Sequence, residues 1–363
     1  MGRTNRRNYC KVKILFFIGK LYGGGAERVA VNLLNHLSEH HEVIAAIAND
    51  NHKGYPLKPG ITIKIIDFRW TNRFYQIFSN TLVIKNILKE IKPDLIISFI
   101  VDLNGCVLLA NSIYKRKRII VSERTTIQRK QSVWQIITRR ILYKLAQVVF
   151  VSKSDFSHAK WLKNKTFIYN PLSYDTTTNK SCREKTVVAI GPQSRWHVKG
   201  FDMLILTWAK IAPLHPDWKL QFIGANNDSQ IRDLTKDFGL EKQVEFLGWT
   251  DEIDKILRSK SIYVLSSRNE GFPNSLIEAM SQECACVAFD CKTGPNEIIT
   301  DGVSGLLARN GDIDDLVTKL QLLIEDEQLR RRLATAATEE VRRFEKYKIM
   351  RLWDELIQST VEQ

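Results

Sequence analysis

The sequence predicts an α/β protein made of two doubly wound parallel-sheet domains in tandem. Short runs rich in Ile, Val, Leu and Phe alternate with helical patterns along the whole chain. Several of these runs are continuously apolar, as is typical of strands covered on both faces of a parallel sheet. The alternation stops once, at Asn170-Pro171 and the polar stretch that follows, and then begins again. A chain of 363 residues is also long enough for two separate cores.

Predicted strands and helices alternate in both halves, which indicates a Rossmann-like arrangement in each. In the first half the predicted strands are Val12–Ile18, Glu42–Ile47, Ile61–Asp67, Asp94–Phe99, Ile119–Ser122, Val148–Ser152 and Thr166–Tyr169. The main helical patterns there are Glu27–Ser38, Thr81–Ile91, Val133–Leu145 and Ser154–Leu162. In the second half the predicted strands are Thr186–Ile190, Lys219–Ile223, Val244–Leu247, Ile262–Ser266, Ala285–Phe289 and Gly305–Leu307. The helical patterns there are Phe201–Ala212, Ser229–Phe238, Asp251–Leu257, Ser275–Gln282, Asp314–Glu325, Glu327–Arg343 and Tyr347–Ile357.

The break in the alternation sets the domain boundaries. We predict a first domain over residues 1–172, a linker over 173–184 and a second domain over 185–345. The C-terminal helix, 346–363, is predicted to cross back to the first domain. Ligands of open α/β sheets bind beyond the carboxyl ends of the strands. We therefore expect the site in the cleft between the domains, with its chemistry on strand-to-helix loops.

Charge is spread unevenly within a formal net charge of +14. Residues 1–173 hold 29 Lys/Arg against 10 Asp/Glu, and the remainder holds 25 against 30. A basic half indicates an anionic partner such as nucleic acid, an anionic bilayer or a phosphate-linked acceptor, although a solvated basic surface is the alternative. No nucleic-acid reader motif appears, which argues against that partner.

No stretch approaches 18 uninterrupted apolar residues, so we expect no transmembrane helix. The six cysteines form no CxxC pairs, and we predict that they are reduced and mostly buried.

A glycine-rich loop from Gly19 to Arg28 joins the first predicted strand to a helix. Gly24 and Gly25 would let a ligand approach the backbone, and free N–H groups at a helix start suit an anion. The loop is neither GxxxxGK[ST] nor a clean GxGxxG, so it predicts an anion site without identifying a P-loop or an NAD site. A tight turn without a ligand is the alternative.

The most specific motif follows the predicted strand Ile262–Ser266 and reads S-R-N-E-G-F-P-N-S-L-I-E from Ser267 to Glu278. Pro273 suits the first turn of a helix, which places Glu270 on the preceding loop and Glu278 about a turn and a half into the helix. Backbone N–H groups between Gly271 and Ser275 then gather at the helix start, where they suit anionic or hydroxyl groups. A capped helix with a buried, hydrogen-bonded glutamate is the alternative.

This string resembles the E-x7-E signature of glycosyltransferase family 4, with both glutamates in place. Gly23–Arg28 resembles the family's G-G-A-E-R loop, Asn170-Pro171 its interdomain N-P, and Gly294–Glu297 its G-P-x-E turn. The resemblance spans nearly the whole chain. It implies the GT-B fold, in which two Rossmann-like domains face a central cleft.

The resemblance also implies roles for residues at the donor. Glu270 would lie at the donor sugar, and Glu278 would bind the ribose hydroxyls of the nucleotide. The amides of Gly271 and Phe272 would hold the transferring sugar. The remaining donor-binding residues are predicted to be Gly24, Gly25, Arg195, Lys199, Pro273, Asn274 and Ser275.

Charge on the departing nucleoside diphosphate must be stabilised by a metal or by fixed cations. Arg195 and Lys199 follow the first strand of the second half and resemble the family's G-R-x-x-x-x-K-G clamp. The register differs, because Gly191 is followed by Pro192 and Arg195 precedes Lys199 by four residues. The acidic run Asp312–Asp315 begins a helix and is better explained by capping. We therefore expect no metal and no cofactor, with Glu270, Lys199 and Arg195 as the catalytic residues.

Four charged residues are assigned to the acceptor or donor-sugar side. Glu27 and Arg28 lie in the glycine loop, and Glu123 and Arg124 follow a predicted strand. Family members often present a histidine in this domain. No histidine stands beside Glu123, so that role is not transferred.

Basic runs, Lys115–Arg118 and Arg129-Lys130, flank the helical pattern Val133–Leu145, which mixes Trp and Ile with Arg and Lys. That mixture is typical of an interfacial membrane helix. A core-packing helix with a solvated basic face is the alternative. We favour docking on an anionic leaflet, and expect a cytoplasmic protein that is peripheral on the inner face of a membrane.

The predicted activity is transfer of a hexose-type sugar, with retention, from a nucleotide-sugar to a saccharide acceptor in surface polysaccharide or glycoconjugate biosynthesis. The donor is expected to be a UDP-sugar, with a GDP-sugar second, and the acceptor to be linked to polyprenyl diphosphate. One alternative is a sugar-nucleotide 2-epimerase. Another is a non-catalytic protein that binds a sugar nucleotide or a membrane surface.

Overall fold

The computed structural model describes residues 11–48, 54–67, 73–177, 183–225 and 229–362. The chain divides into two compact units, which are described separately. The first comprises Met1–Pro171 together with Tyr347–Gln363, and the second comprises Leu172–Lys346. The C-terminal residues therefore cluster with the first unit. Residues 178–182 of the predicted linker lie outside the described residues.

The first unit is a seven-stranded sheet with helices between its strands. Its strands are β1 (Lys13–Ile18), β2 (Glu42–Ala48), β3 (Thr62–Ile66), β4 (Leu95–Phe99), β5 (Arg118–Glu123), β6 (Gln147–Phe150) and β7 (Lys165–Phe167). Its helices are α1 (Gly25–Leu37), α2 (Arg73–Ile91), α3 (Val101–Ile113), α4 (Val133–Arg140) and α5 (Lys153–His158). The strand order is β3-β2-β1-β4-β5-β6-β7, and the paired strands are parallel. This is the doubly wound order of a Rossmann-like sheet extended by one strand.

The second unit repeats the same plan with six strands. These are β8 (Glu184–Ile190), β9 (Lys219–Ile223), β10 (Val244–Leu247), β11 (Lys260–Leu265), β12 (Ala285–Asp290) and β13 (Leu306–Arg309). Its helices are α6 (Phe201–Ile211), α7 (Ser229–Asp237), α8 (Ile253–Ser259), α9 (Asn274–Ser281), α10 (Pro295–Ile298), α11 (Ile313–Glu325) and α12 (Glu327–Glu340). The helix that follows, α13 (Lys346–Glu362), clusters with the first unit. The order β10-β9-β8-β11-β12-β13 again reverses direction at its centre. Two doubly wound α/β domains were predicted, and this is confirmed.

Three predicted helices need correction. The pattern Val133–Leu145 is not one helix, because α4 ends at Arg140 and a 3₁₀ turn follows over Leu142–Leu145. The pattern Ser154–Leu162 forms only the short α5. Pro273 does not begin the next helix but is the residue before α9, with an extended backbone at φ −78° and ψ 94°.

The helix α13 belongs to the core of the first unit. Its buried residues Ile349, Met350, Trp353 and Ile357 pack with the apolar side chains of β1, α1 and β4. Trp353 lies 6.1 Å from Phe99, measured between ring centroids. On the polar side of the same contact, His36 of α1 bonds Asp354 at 2.9 Å.

Several smaller predictions are also settled. The Asp312 side chain accepts a hydrogen bond from the backbone N–H of Asp315 at the start of α11, so capping is confirmed. Cys106, Cys284, Cys286 and Cys291 are free and buried, whereas Cys10 and Cys182 lie outside the described residues. Among the helices in the described ranges, none combines the length and apolar character needed to cross a membrane.

Candidate active site

The centre of the second sheet brings the predicted catalytic residues together. β8 and β11 are neighbours at the point where the strand order reverses, and ligands of open α/β sheets bind at such a point, beyond the carboxyl ends of the strands. The loop after β8 carries Arg195 and Lys199, and the loop after β11 carries Glu270. The predicted catalytic residues of this unit therefore follow the carboxyl ends of its strands, and we call this placement the strand-end rule.

Lys199 and Glu270 form a close ion pair at this edge. Lys199 Nζ lies 2.9 Å from Glu270 Oε1, and the two side chains are 14% and 12% exposed. Ser267 Oγ donates to the same carboxylate oxygen at 2.6 Å. Burial acts to raise the pKa of Glu270, but the charge and hydrogen bond of Lys199, the hydroxyl of Ser267 and the charge of Arg195 together lower it below the ordinary value. The carboxylate is therefore ionised at neutral pH and held in one orientation.

Backbone and side-chain contacts tie the two loops to each other. Ser266 Oγ donates to the carbonyl of Lys199 at 2.9 Å, and the N–H of Arg268 donates to the carbonyl of Val198 at 2.9 Å. The guanidinium of Arg268 binds both carboxylate oxygens of Asp202, at 2.7 and 2.6 Å. These contacts hold the ion pair on a preorganised support rather than on two independent loops.

Gly200 is the tightest point of that support, and its replacement by alanine is expected to destabilise the second unit. Its φ is +64°, and an added Cβ would collide with the carbonyl oxygen of Ser266. Gly239 is a matched control, with φ +65° and open space around the Cβ position. Gly239→Ala should cost about 1 kcal/mol of backbone strain, and Gly200→Ala about 1–3 kcal/mol more from overpacking. Denaturant midpoints measure both, and equal losses would contradict this account.

The helix α9 places the second glutamate of the motif. Glu278 is 4% exposed, and Ser173 Oγ donates to its Oε1 at 2.9 Å. Ser275, in the first turn, accepts a hydrogen bond from the buried Tyr263 hydroxyl at 2.7 Å. The turn Gly294–Glu297 packs on the start of this helix, since a Cβ on Gly294 would lie 2.6 Å from Pro273 Cδ.

The other donor-side residues lie around these two glutamates. Arg195 is exposed, and its carbonyl accepts from the N–H of Lys199 at 2.9 Å. Phe272 is buried with its ring edge on Phe344, whereas Gly271 and Asn274 are partly exposed. Lys199, Glu270, Arg195 and the start of α9 thus share one edge of one sheet.

Three polar residues of this arrangement were not predicted. Ser267 binds Glu270 from within the motif, so its proximity was readable from the sequence. The hydroxyl of Thr293 donates to the backbone carbonyl of Glu270, and Ser173 reaches Glu278 across 105 positions. Contacts of such separation leave no local sequence signal.

The glycine loop occupies the equivalent position in the first unit, after β1 and beside β4. Gly23 has φ +85°, and Gly24 is the N-cap of α1. Glu27 folds back over the loop, where a Cβ on Gly24 would collide with its carboxylate, and the guanidinium of Arg28 lies 5.2 Å from the centroid of Tyr55. Ile100, at the end of β4, has φ +77°. A β-branched residue in that conformation stores strain of about 1–3 kcal/mol, which is typical of functional loops.

Glu123 and Arg124 make contacts inside the first unit. Glu123 Oε2 accepts from Arg139 Nε at 2.8 Å and from the Tyr143 hydroxyl at 3.0 Å, and the side chains of Glu123 and Arg139 are only 1% and 2% exposed. Arg124 donates to Asn170 Oδ1 at 2.7 Å and stacks 3.9 Å above the Phe99 ring centroid. The Glu123 carboxylate is thus used in internal contacts of the first unit, whereas Nε and Nη2 of Arg124 are buried without a hydrogen-bond partner among the described residues. The acceptor role of these two residues stays a prediction.

A metal could be held by clustered His, Cys, Asp or Glu side chains. No group of three such residues with suitable placement occurs in the ranges that the structure describes.

Comparisons with known proteins identify the family of the chain. Residues 23–168 match the family model described as Glycosyltransferase Family 4, and residues 178–340 match that of Glycosyl transferases group 1. A relative from Campylobacter jejuni, GalNAc-alpha-(1->4)-GalNAc-alpha-(1->3)-diNAcBac-PP-undecaprenol alpha-1,4-N-acetyl-D-galactosaminyltransferase, is 28% identical over 95% of this chain and 98% of its own length. The amylovoran biosynthesis glycosyltransferase AmsD of Erwinia amylovora is 27% identical over 95% of this chain and 99% of its own.

A solved structure extends the comparison to the fold. The crystal structure of Anabaena HepE in complex with UDP covers 96% of this chain and 100% of that protein, with a TM-score of 0.77 and 20% identity. With its two doubly wound sheets, the chain therefore has the GT-B fold. The matched family models, the E-x7-E string that runs from the loop after β11 into α9, and this fold agree: the chain belongs to glycosyltransferase family 4.

Proposed function

We propose that the protein transfers a hexose-type sugar from a nucleotide-sugar to a hydroxyl of a saccharide carried on polyprenyl diphosphate. The observation that carries the proposal is the Lys199–Glu270 pair at the carboxyl ends of β8 and β11. A UDP-sugar is the first candidate donor, with a GDP-sugar second, and HepE crystallised with UDP supports this order. The Campylobacter relative is named for an acceptor on PP-undecaprenol, which supports a lipid-linked acceptor here.

In the proposed reaction the bond between C1 of the sugar and the β-phosphate oxygen breaks. A new bond forms between C1 and the acceptor oxygen on the same face, so configuration is retained. The acceptor proton passes to the departing diphosphate. Lys199 and Arg195 stabilise the charge that develops on the diphosphate, together with the backbone N–H groups at the start of α9. These fixed cations make a divalent ion unnecessary.

The two glutamates have separate proposed tasks. Glu278, near the middle of α9 and bound by Ser173, receives the ribose hydroxyls. Glu270 supports the transferring sugar and keeps Lys199 oriented in the absence of a donor. The Glu270 carboxylate is not a nucleophile in this scheme. Ser267 keeps it aligned.

Two measurements test the proposal. UDP-, GDP- and ADP-sugars are compared by thermal shift, where a donor at about 100 times its Kd adds ~2.7 kcal/mol to the stability of the folded protein. The donor that binds is then incubated with and without a polyprenyl-diphosphate-linked saccharide, in the presence of EDTA. We expect nucleoside diphosphate release that depends on the acceptor and persists in EDTA. Epimerised donor without acceptor would instead indicate the 2-epimerase, and loss of transfer in EDTA would contradict metal independence.

A further inference from the structure

One helix of the first unit turns its apolar side chains toward solvent. On α4 and the 3₁₀ turn after it, the exposed apolar residues are Val133 at 73%, Ile136 at 46%, Ile137 at 38%, Ile141 at 60% and Leu145 at 55%. Arg140 and Lys144 are exposed between them. The spacing of three, four and eight residues places them along one stripe, which we call the 133–145 face.

The buried side of α4 is polar instead. Its buried residues are Thr138 and Arg139, and Arg139 is bound to Glu123 inside the domain. Helices at a protein surface normally turn their apolar stripe to the core and their charges to water. The 133–145 face reverses that pattern, so its apolar residues do not serve the core of this unit.

Specific contacts fix α4 in this orientation. Ser132 and Gln135 form a reciprocal capping box at its start. Gln135 Nε2 donates to Asp102 Oδ2 at 3.1 Å, and Trp134 Nε1 donates to the Asp102 carbonyl at 3.3 Å. On α3, a Cβ at Gly105 would collide with Trp134, which shows how closely the two helices approach. The outward direction of the apolar residues is therefore set by anchors on the opposite side.

Charge identifies the occupant of the 133–145 face. Residues 124–154 contain seven Lys/Arg and no Asp or Glu, and Arg129, Lys130, Arg140 and Lys144 are exposed. Asp102 touches this helix only near its start, through Trp134 and Gln135. An apolar stripe bordered by cations suits the headgroup region of an anionic bilayer. A second copy fits less well, because a symmetric contact would bring the same cations together.

We infer that the 133–145 face docks on an anionic lipid bilayer. Ile136 and Ile141 enter the boundary between headgroups and acyl chains, while Lys144 and Arg129 contact lipid phosphates. This inference deepens the proposed function, on which it rests for a lipid-linked acceptor, but its test needs neither donor nor acceptor.

The test is sedimentation of the full chain with lipid vesicles. Vesicles of phosphatidylcholine are compared with vesicles of equal parts phosphatidylcholine and phosphatidylglycerol, at low and high salt. Wild type should bind the anionic vesicles, and less so at high salt. The exposed pair Ile136→Glu/Ile141→Glu should weaken binding at least tenfold. Leu214→Glu/Val303→Glu, which changes apolar residues of the second unit that are 64% and 51% exposed, should bind as wild type.

A charge reversal tests the electrostatic part separately. Lys144→Glu should weaken binding about tenfold or more, because the change removes one attractive charge at the anionic surface and adds a repulsive one. Lys236→Glu, at an exposed position on α7, is the matched control and should have no effect.

Three outcomes would overturn the inference. The first is equal binding of wild type to neutral and anionic vesicles. The second is unchanged vesicle binding by Ile136→Glu/Ile141→Glu. The third is a wild-type protein that does not bind vesicles but forms a dimer in light scattering, with Ile136→Glu/Ile141→Glu monomeric. The last would assign the face to self-association. Thermal shift with the nucleotide-sugar is run on every variant, so a failure of membrane docking stays distinct from a failure of donor binding.

Discussion

Lys199→Ala is expected to lower the rate of sugar transfer by about 10²- to 10³-fold, the usual cost of removing one group that stabilises developing charge. The side chain is mostly buried beside Glu270, so solvent cannot replace its charge on the departing diphosphate. Glu270→Gln should reduce the rate as well, because it removes the charge that orients Lys199. Initial rates of nucleoside diphosphate release with acceptor measure both changes.

The matched control for this prediction is Lys210→Ala. Lys210 lies on α6 of the same unit and pairs with Asp314 at the surface, with side chains 54% and 83% exposed. It should transfer sugar at the wild-type rate. Circular dichroism should show that all three variants are folded. Full activity in Lys199→Ala or in Glu270→Gln would rule out the proposed mechanism.

Arg139→Met is expected to cause the largest loss of stability in the first unit, about 3–5 kcal/mol. The substitution leaves the Glu123 carboxylate buried, with uncharged donors as its hydrogen-bond partners: the N–H and hydroxyl of Thr125 and the hydroxyl of Tyr143. In the native unit burial opposes the charge of Arg139, yet Glu123 raises the pKa of Arg139 above its ordinary value. After the substitution the carboxylate has lost its ion-pair partner, and the cost of its burial is no longer offset by that pair.

Two further variants separate an unpaired charge from lost packing. Glu123→Gln/Arg139→Met removes both charges and should recover part of the loss. Arg351→Met breaks an exposed pair on α13, with side chains 69% and 44% exposed, and should cost less than about 0.5 kcal/mol. The denaturant midpoints of wild type and the three variants measure these losses of stability. A loss below about 1 kcal/mol in Arg139→Met would contradict a buried ion pair of this importance.

Arg139 also shows where sequence reasoning reached its limit. Its position in a run of basic residues indicated a solvated or membrane-facing cation, but the side chain is 2% exposed. Its partner lies 16 residues earlier, on β5. The pairing depends on how α4 packs against the sheet, which no local pattern contains.

The strands were predictable because each is indicated by a short run of neighbouring apolar residues. β9 and β10 were predicted with their observed ends, and the other strands within a few residues. Helix α3 received no such prediction. Its sequence, VDLNGCVLLANSI, is buried on most sides, so it lacks the periodic polar residues that distinguish a helix from a strand.

The pairing of Lys199 with Glu270 was predictable for a different reason. Their separation is 71 positions, but each follows a strand of the same parallel sheet, and the strand-end rule brings such loops together. The strand-end rule predicts which loops lie near one another, but it does not predict which hydrogen bonds their side chains form. It therefore placed Glu123 at the correct edge without revealing that its carboxylate turns inward to Tyr143.

The position of α13 affects the order in which the protein can complete its folding during synthesis. Trp353 covers Phe99, and Ile349 and Ile357 close the same core, although the ribosome adds these residues only after the whole second unit. The second unit ends at Lys346. It therefore has its whole sequence available before the first unit does, which reverses the usual N-to-C order of domain folding on the ribosome.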